Sequence, residues 1–196
     1  MSRKLLSLTA LGAASLMALT ACSGGTASSS QSSTSAAASS SSSAPSSVTI
    51  ESDQGNVEIK LHVQRVASLD NRTFEVLAQW NVPLVAAPKK LIPSTIKAYN
   101  TDSVADIGMH RDPNLEALAA SNPDLIISGQ RFTRFDAQIA EMNPGVPLIN
   151  LEPRDGKPLN EELIRQVTDL GEIFGHQEDA KKLVDDFNNA LNRAKK

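Results

Sequence analysis

The sequence predicts an α/β fold: a three-layer sandwich with a mostly parallel sheet, ending in a long helix. Three observations predict it. Apolar strand-like runs alternate with helical patterns from Arg65 to Leu151, the alternation that builds βαβ units. One of those runs, Asp124-Leu125-Ile126-Ile127-Ser128, is continuously apolar at its centre, as a strand covered on both faces is. From Asn160 onward two helical patterns follow each other almost without a break, the second from about Gln177 to the last residue.

The elements can be justified in order. Val48 to Glu51 and Asn56 to Leu61 read as two strands around Ser-Asp-Gln-Gly-Asn, whose glycine and polar neighbours suit a hairpin turn. Arg65 to Leu69 is a strand that empties into Asp70-Asn71. There Asn71 can cap a helix over residues 72–80, with Phe74, Leu77 and Ala78 on one face. Val82 to Ala87 is the next strand, and Pro88 to Tyr99 is a proline-punctuated loop with a short helix. Val104 to Gly108 is strand-like, and Pro113 suits the first turn of a helix over 113–120. Residues 124–128, 134–142 and 146–151 then read as strand, helix and strand. The helix over 160–175 has Leu163, Val167, Leu170 and Phe174 on its inner stripe. In open sheets of this kind, ligands sit outside the carboxyl ends of the strands.

The amino-terminal segment carries a different message. Arg3 and Lys4 precede an uncharged stretch from Leu5 to Ala21, the layout of a secretory signal. That stretch is at or below the roughly 18 to 20 apolar residues a permanent span requires. Leu19-Thr20-Ala21-Cys22 matches the lipobox, which makes Cys22, the sole cysteine, a lipid-attachment site rather than a core thiol or a nucleophile. A diacylglyceryl group gives stable anchoring where one chain gives marginal binding. From Ser23 to Ser47 there are 14 serines in 25 residues and no charge, so this stretch cannot offset its chain entropy. The expected organisation is a signal peptide over 1–21, a lipidated tether over 22–47, a folded lobe over 48–175 and a helix over 176–196. That last helix reaches Lys195-Lys196 with no stop signal, and the sequence reads as interrupted there.

Setting Arg3 and Lys4 aside leaves 17 Lys and Arg against 22 Asp and Glu, a net charge of −5. That argues against a nucleic-acid surface. No Gly-x-Ser-x-Gly elbow, phosphate loop or dinucleotide fingerprint occurs, so an enzyme is not expected. His62, His110 and His176 stand far apart without metal-ligand spacing.

The order RVASLDNRTFEVLAQWNVPLVAAPKKLIPSTIKAY, then VADIGMHRDPNLEALAASNPDLIISGQRF, then LGEIFGHQEDAKKLV resembles the amino-terminal lobe of iron-siderophore substrate-binding lipoproteins, in the branch for catecholate and petrobactin-type ligands. These are two-lobed proteins joined by one long helix, and the resemblance covers about residues 57 to 190. It implies an extracytoplasmic, lipid-anchored, monomeric subunit of an ABC importer. Such a subunit captures a ferric siderophore and passes it to a membrane permease. Iron arrives already coordinated, so neither a cofactor nor a protein metal ligand is implied.

Several roles follow from the resemblance. Arg131 falls beside the family's ligand-binding arginine, although here the order is Gly129-Gln130-Arg131 where the branch shows Gly-Arg-Gln. Arg72, Lys89 and Lys90 follow strand ends and could approach the same cleft, with Phe132 and Tyr99 as its aromatic walls. Taken singly, each cation reads as a solvated surface charge; their joint placement marks them. Glu116 matches the acidic residue that docks onto permease arginines, and by itself reads as a first-turn glutamate favoured by the helix dipole. Two alternatives remain open: a binder of free zinc or manganese, for which Met-His-Arg-Asp-Pro-Asn is the only hint, and a truncated surface lipoprotein without transport activity. As a ligand His110 is the weaker reading; it reads as a loop histidine.

Overall fold

The computed structural model describes residues 45–195. Cys22, the signal segment and nearly all of the serine-rich stretch lie outside the described residues.

Five parallel strands form the central sheet in the order β5-β4-β3-β8-β9. They are β3 (Val66–Ser68), β4 (Leu84–Ala87), β5 (Ala105–Asp106), β8 (Leu125–Ser128) and β9 (Leu148–Asn150). The fold class and the strand order along the chain agree with the sequence. The middle strands are covered on both faces, and alternate residues feed two separate cores. Val66, Leu84, Leu125 and Ile127 point into one core with Phe74 and Leu77 of α1 (Phe74–Gln79) and Leu170 and Ile173 of α4 (Leu159–Phe174). Ala67, Ala86 and Ile126 point into the other, with Leu115 and Leu118 of α2 (Leu115–Ala120) and Ile139 of α3 (Asp136–Met142). Those two cores are the interfaces of a three-layer sandwich.

A two-stranded hairpin, β1 (Ser47–Ser52) with β2 (Gly55–Lys60), adds Ile50 and Ile59 to the first core. Its turn reaches the end of β9, where Asp53 N–H donates to Asn150 O at 2.9 Å. A second, much shorter hairpin, β6 (Gly108–Met109) with β7 (Asp112–Pro113), has no strand-like signature in the sequence. The last helix, α5 (Gln177–Ala194), folds back on α4. Gly175, at φ 72°, ends α4 in the left-handed conformation that glycine adopts without cost. Gly171 lets α5 approach closely, since a Cβ there would lie 2.6 Å from Ala180 Cβ.

Four local expectations change. Asn71 does not cap α1; Thr73 holds the cap position, and Asp70 serves the turn by accepting Arg72 N–H at 2.9 Å. Of the loop with a short helix expected over Pro88 to Tyr99, the helical part is one 3₁₀ turn at Lys89–Leu91, and residues 94–99 form turns. Pro113 belongs to β7, and Asn114 caps α2 by accepting Ala117 N–H at 2.8 Å. The innermost face of α4 carries Glu162, Gln166, Leu170, Gly171 and Ile173, while Leu163 and Val167 turn toward Leu183 and Phe187 of α5. Among the described residues, no helix is long and apolar enough to cross a membrane.

Candidate functional site

The carboxyl ends of the strands gather most of the chain's chemistry on one rim, and that rim is electrostatically divided. Under β3 and β9 every arginine is neutralised. Asp70, wholly buried, accepts from Arg72 Nη2 at 2.7 Å and from Gln166 at 3.2 Å. Arg72 also pairs with Glu152 at 3.0 Å. Beyond it, Glu162 is fixed by Arg154 at 2.8 Å and Arg165 at 2.9 Å. These hydrogen bonds, from Arg154 first, hold the Glu162 carboxyl down to about 2.

On the β6 and β8 side the balance reverses. Gly129 ends β8, and a 3₁₀ turn over Gln130–Phe135 follows. Gln130 sits at φ 57°, uncommon for a residue with a side chain, with its N–H bonded to Glu152. Arg131 is exposed and, among the described residues, has no carboxylate partner. Its Nη1 lies 3.4 Å from Nε2 of His110, which the β6–β7 hairpin carries to the top of the sheet. Burial, then the charges of Arg131, Arg111 and Arg134, hold that imidazole below its ordinary value. Together Leu69, Asn71, Leu91, His110, Gln130, Arg131 and Phe132 line a depression of about 200 Å³.

The expected site residues therefore separate. Arg131 and Phe132 meet in the depression, with Phe132 almost wholly buried beneath it. Arg72 stands nearby but is occupied by two carboxylates. Lys89 and Lys90 open the turn that supplies Leu91; Lys89 Nζ bonds Thr101 O at 2.6 Å, and Lys90 is exposed. Tyr99 is not brought to the rim. It is buried against Phe74, with its hydroxyl donating to Val82 O at 2.8 Å, just before β4 and so at the opposite end of the sheet. Its ring is a core anchor with a satisfied hydroxyl, and burial pushes its pKa up. Glu116 is exposed in the first turn of α2. Cys22 lies outside the described residues. Sequence reasoning missed Glu152, for which there was no signal, and gave no site role to His110, whose loop it had noticed. Among the described residues no three His, Cys, Asp or Glu side chains are grouped to hold a metal ion.

Comparison with known proteins agrees with this architecture. The ferric-anguibactin-binding protein FatB of Vibrio anguillarum is 32% identical over 139 residues, 70% of this chain and 43% of FatB. The petrobactin-binding protein YclQ of Bacillus subtilis is 20% identical over 152 residues, 76% of this chain and 47% of YclQ. Among solved structures, the siderophore-binding protein BauB, bound to ferric iron and two molecules of acinetobactin, matches with a TM-score of 0.67. Its sequence identity is 24%, across 75% of this chain and 52% of BauB. At that identity the likeness shows the fold. The chain spans about half the length of the curated relatives it matches. A match to the periplasmic binding protein family runs over residues 66–196, through every strand of the central sheet and both long helices, and the chain belongs to that family.

Proposed function

We propose that this chain forms one wall of a ferric-siderophore site in the substrate-binding component of an ABC importer. The observation that carries the reading is Arg131: an exposed guanidinium without a carboxylate partner among the described residues, beside an apolar-floored depression at the carboxyl ends of a parallel sheet. FatB, 32% identical, is named for binding a ferric siderophore. Anionic chelate oxygens suit a guanidinium, and the flat apolar parts of a chelate suit Leu69, Leu91 and the Phe132 floor. The iron needs no protein ligand, because the chelator already fills its coordination sphere.

The depression of about 200 Å³ is smaller than the roughly 300 to 1,000 Å³ of sites that bury a drug-sized ligand. It corresponds to one side of such a site, with residues 48–175 as the lobe and 176–196 as the start of a helix leading from it. Lys89 and Lys90 contribute positive field at the margin rather than contacts, and Arg72, held by Asp70 and Glu152, braces the rim instead of facing the ligand. Glu116 docks on permease arginines, the protein works as a monomer without enzymatic activity, and Cys22 carries the lipid that holds it on the extracytoplasmic face.

Calorimetry of residues 48–196 with ferric anguibactin tests the binding reading. Saturable binding that weakens in Arg131→Ala supports it; saturable binding of free zinc or manganese, with none of the ferric chelate, replaces it. Metabolic labelling with radioactive palmitate, lost in Cys22→Ser, tests the anchor. Trp80 is a poor reporter for these titrations. It lies at the far end of α1, stacked on His176 at 5.1 Å between ring centroids.

A further inference from the structure

We propose that His110 is a positioning residue of this rim: its neutral imidazole accepts a hydrogen bond from Arg131, aims that guanidinium over the depression, and takes up a proton when an anionic ligand arrives. The proposal rests on the reading of the rim as an anion site. Its first half also stands without a ligand.

A guanidinium can only donate. With Arg131 Nη1 at 3.4 Å from His110 Nε2, the contact is a hydrogen bond only when the ring is neutral and carries its proton on Nδ1. The ring of His110, like its backbone, is in contact with the turn after β8. Its edge meets Phe132 with centroids 6.3 Å apart and planes at 85°, and its own carbonyl accepts from Arg134 Nη2. Arg134 is in turn held over the Phe135 ring, 4.6 Å from its centroid. In a 3₁₀ turn residues i and i+3 project from the same side, so Arg131 and Arg134 both reach His110. The turn after β8 thus grips the β6–β7 hairpin at a backbone atom and at a ring nitrogen.

The charges around His110 are mainly positive. Arg111 and Asp112 lie on its own hairpin, Arg131 and Arg134 on the turn after β8, and Lys89 and Lys90 on the turn after β4 that packs against β6. Asp106 is already used by the backbone N–H groups of Lys89 and Gly108. An anion seated on Arg131 draws the guanidinium off Nε2 and offsets the positive field that, after burial, keeps the ring neutral. A proton from solvent then occupies Nε2, and the imidazolium becomes a second donor to the ligand. Capture that takes up a proton strengthens as pH falls toward the ordinary histidine value of about 6.5.

Two measurements test this. In the full chain labelled with nitrogen-15 at histidine, the His110 resonances are those missing from His110→Gln. The expected result is the Nδ1–H form, titrating below about 6.5, with the midpoint moving up in Arg131→Met. An Nε2–H ring, or a midpoint indifferent to Arg131, overturns the positioning role. Next, a trianionic ferric tris-catecholate is titrated into the wild type and into His110→Gln, whose amide oxygen still accepts but takes no proton. The ligand's own titration cancels in the ratio of affinities. That ratio is expected to grow about three- to tenfold in favour of the wild type as pH falls from about 7.5 to about 6. A constant ratio overturns the proton coupling. Absence of binding by both proteins overturns the anion-site reading and the coupling with it, while the tautomer still decides the positioning role.

Discussion

A Cβ placed on Gly129 would lie 2.7 Å from Oδ2 of Asp70 and 2.8 Å from its Cβ. These residues lie just past the ends of the neighbouring strands β8 and β3, and Leu69 N–H donates to Ile127 O at 2.8 Å just before them. Gly129 itself is extended, a backbone any residue adopts. The requirement for glycine is therefore steric: Asp70 needs the space, because its carboxylate receives Arg72 and Gln166 in a fully buried position.

Gly129→Ala is accordingly expected to destabilise the domain by about 2–3 kcal/mol, since either the strand ends separate or the Asp70 carboxylate leaves its donors. Urea unfolding followed by circular dichroism reads the change. Unaltered stability would show that the strand ends yield without cost.

Glu162 supports a pH prediction. Its side chain is 2% exposed and sits between Arg154 and Arg165, which hold the carboxyl down to about 2. A depressed carboxyl contributes stability that is present above the ordinary glutamate value and is lost as pH falls through the folded value. Stability should therefore decline between about pH 4.5 and pH 2, and Glu162→Gln should cost about 2–3 kcal/mol at neutral pH while flattening that decline. Thermal melts across the acid range check both statements.

The fold was legible because its signals are local and redundant. Leu125-Ile126-Ile127 is short, largely β-branched and bounded by polar residues, as a strand covered on both faces is, and its alternation with amphipathic helices leaves little choice of architecture. The site was less legible, because its meaning depends on pairings between distant positions. Arg72 and Arg131 look alike in sequence; what distinguishes them is that Asp70 and Glu152 pair with Arg72 and not with Arg131. Tyr99 misled for the same reason, as nothing in Lys97-Ala98-Tyr99 says that the turn places the ring at the amino end of the sheet. Glu162 carried no signal of its own in the sequence, because the buried pairing with Arg154 joins it to a loop eight residues earlier in the chain.

Asp169 behaves in the opposite sense to Glu162. Burial pushes its carboxyl up to about 6 and Glu172 adds to the rise, while Arg165, 3.4 Å away, only partly offsets them. A raised value means stability present at low pH and lost as pH rises through the folded value. Asp169→Asn is expected to stabilise the domain by about 1–2 kcal/mol at pH 7 to 8, with the gain fading below about pH 4. A gain that persists at about pH 3.5 would point to a cause other than the charge.

The contrast between Arg131 and Arg72 separates binding from folding. Arg131 is exposed, and among the described residues its side chain's one polar contact is the long bond to His110, so Arg131→Ala should leave the melting temperature within about 1 °C. The same substitution should weaken capture of an anionic ferric chelate by about 10- to 100-fold, the loss of one charge-assisted contact. Arg72→Ala strands the Asp70 carboxylate, which is wholly buried, with Gln166 as its remaining side-chain donor. That change should cost about 3 kcal/mol of stability, and any loss of affinity should recover at lower temperature, where the folded population returns. Melting curves and calorimetry on the same two variants decide the matter. A stable Arg72→Ala protein that fails to bind would make Arg72, rather than Arg131, the contact to the ligand.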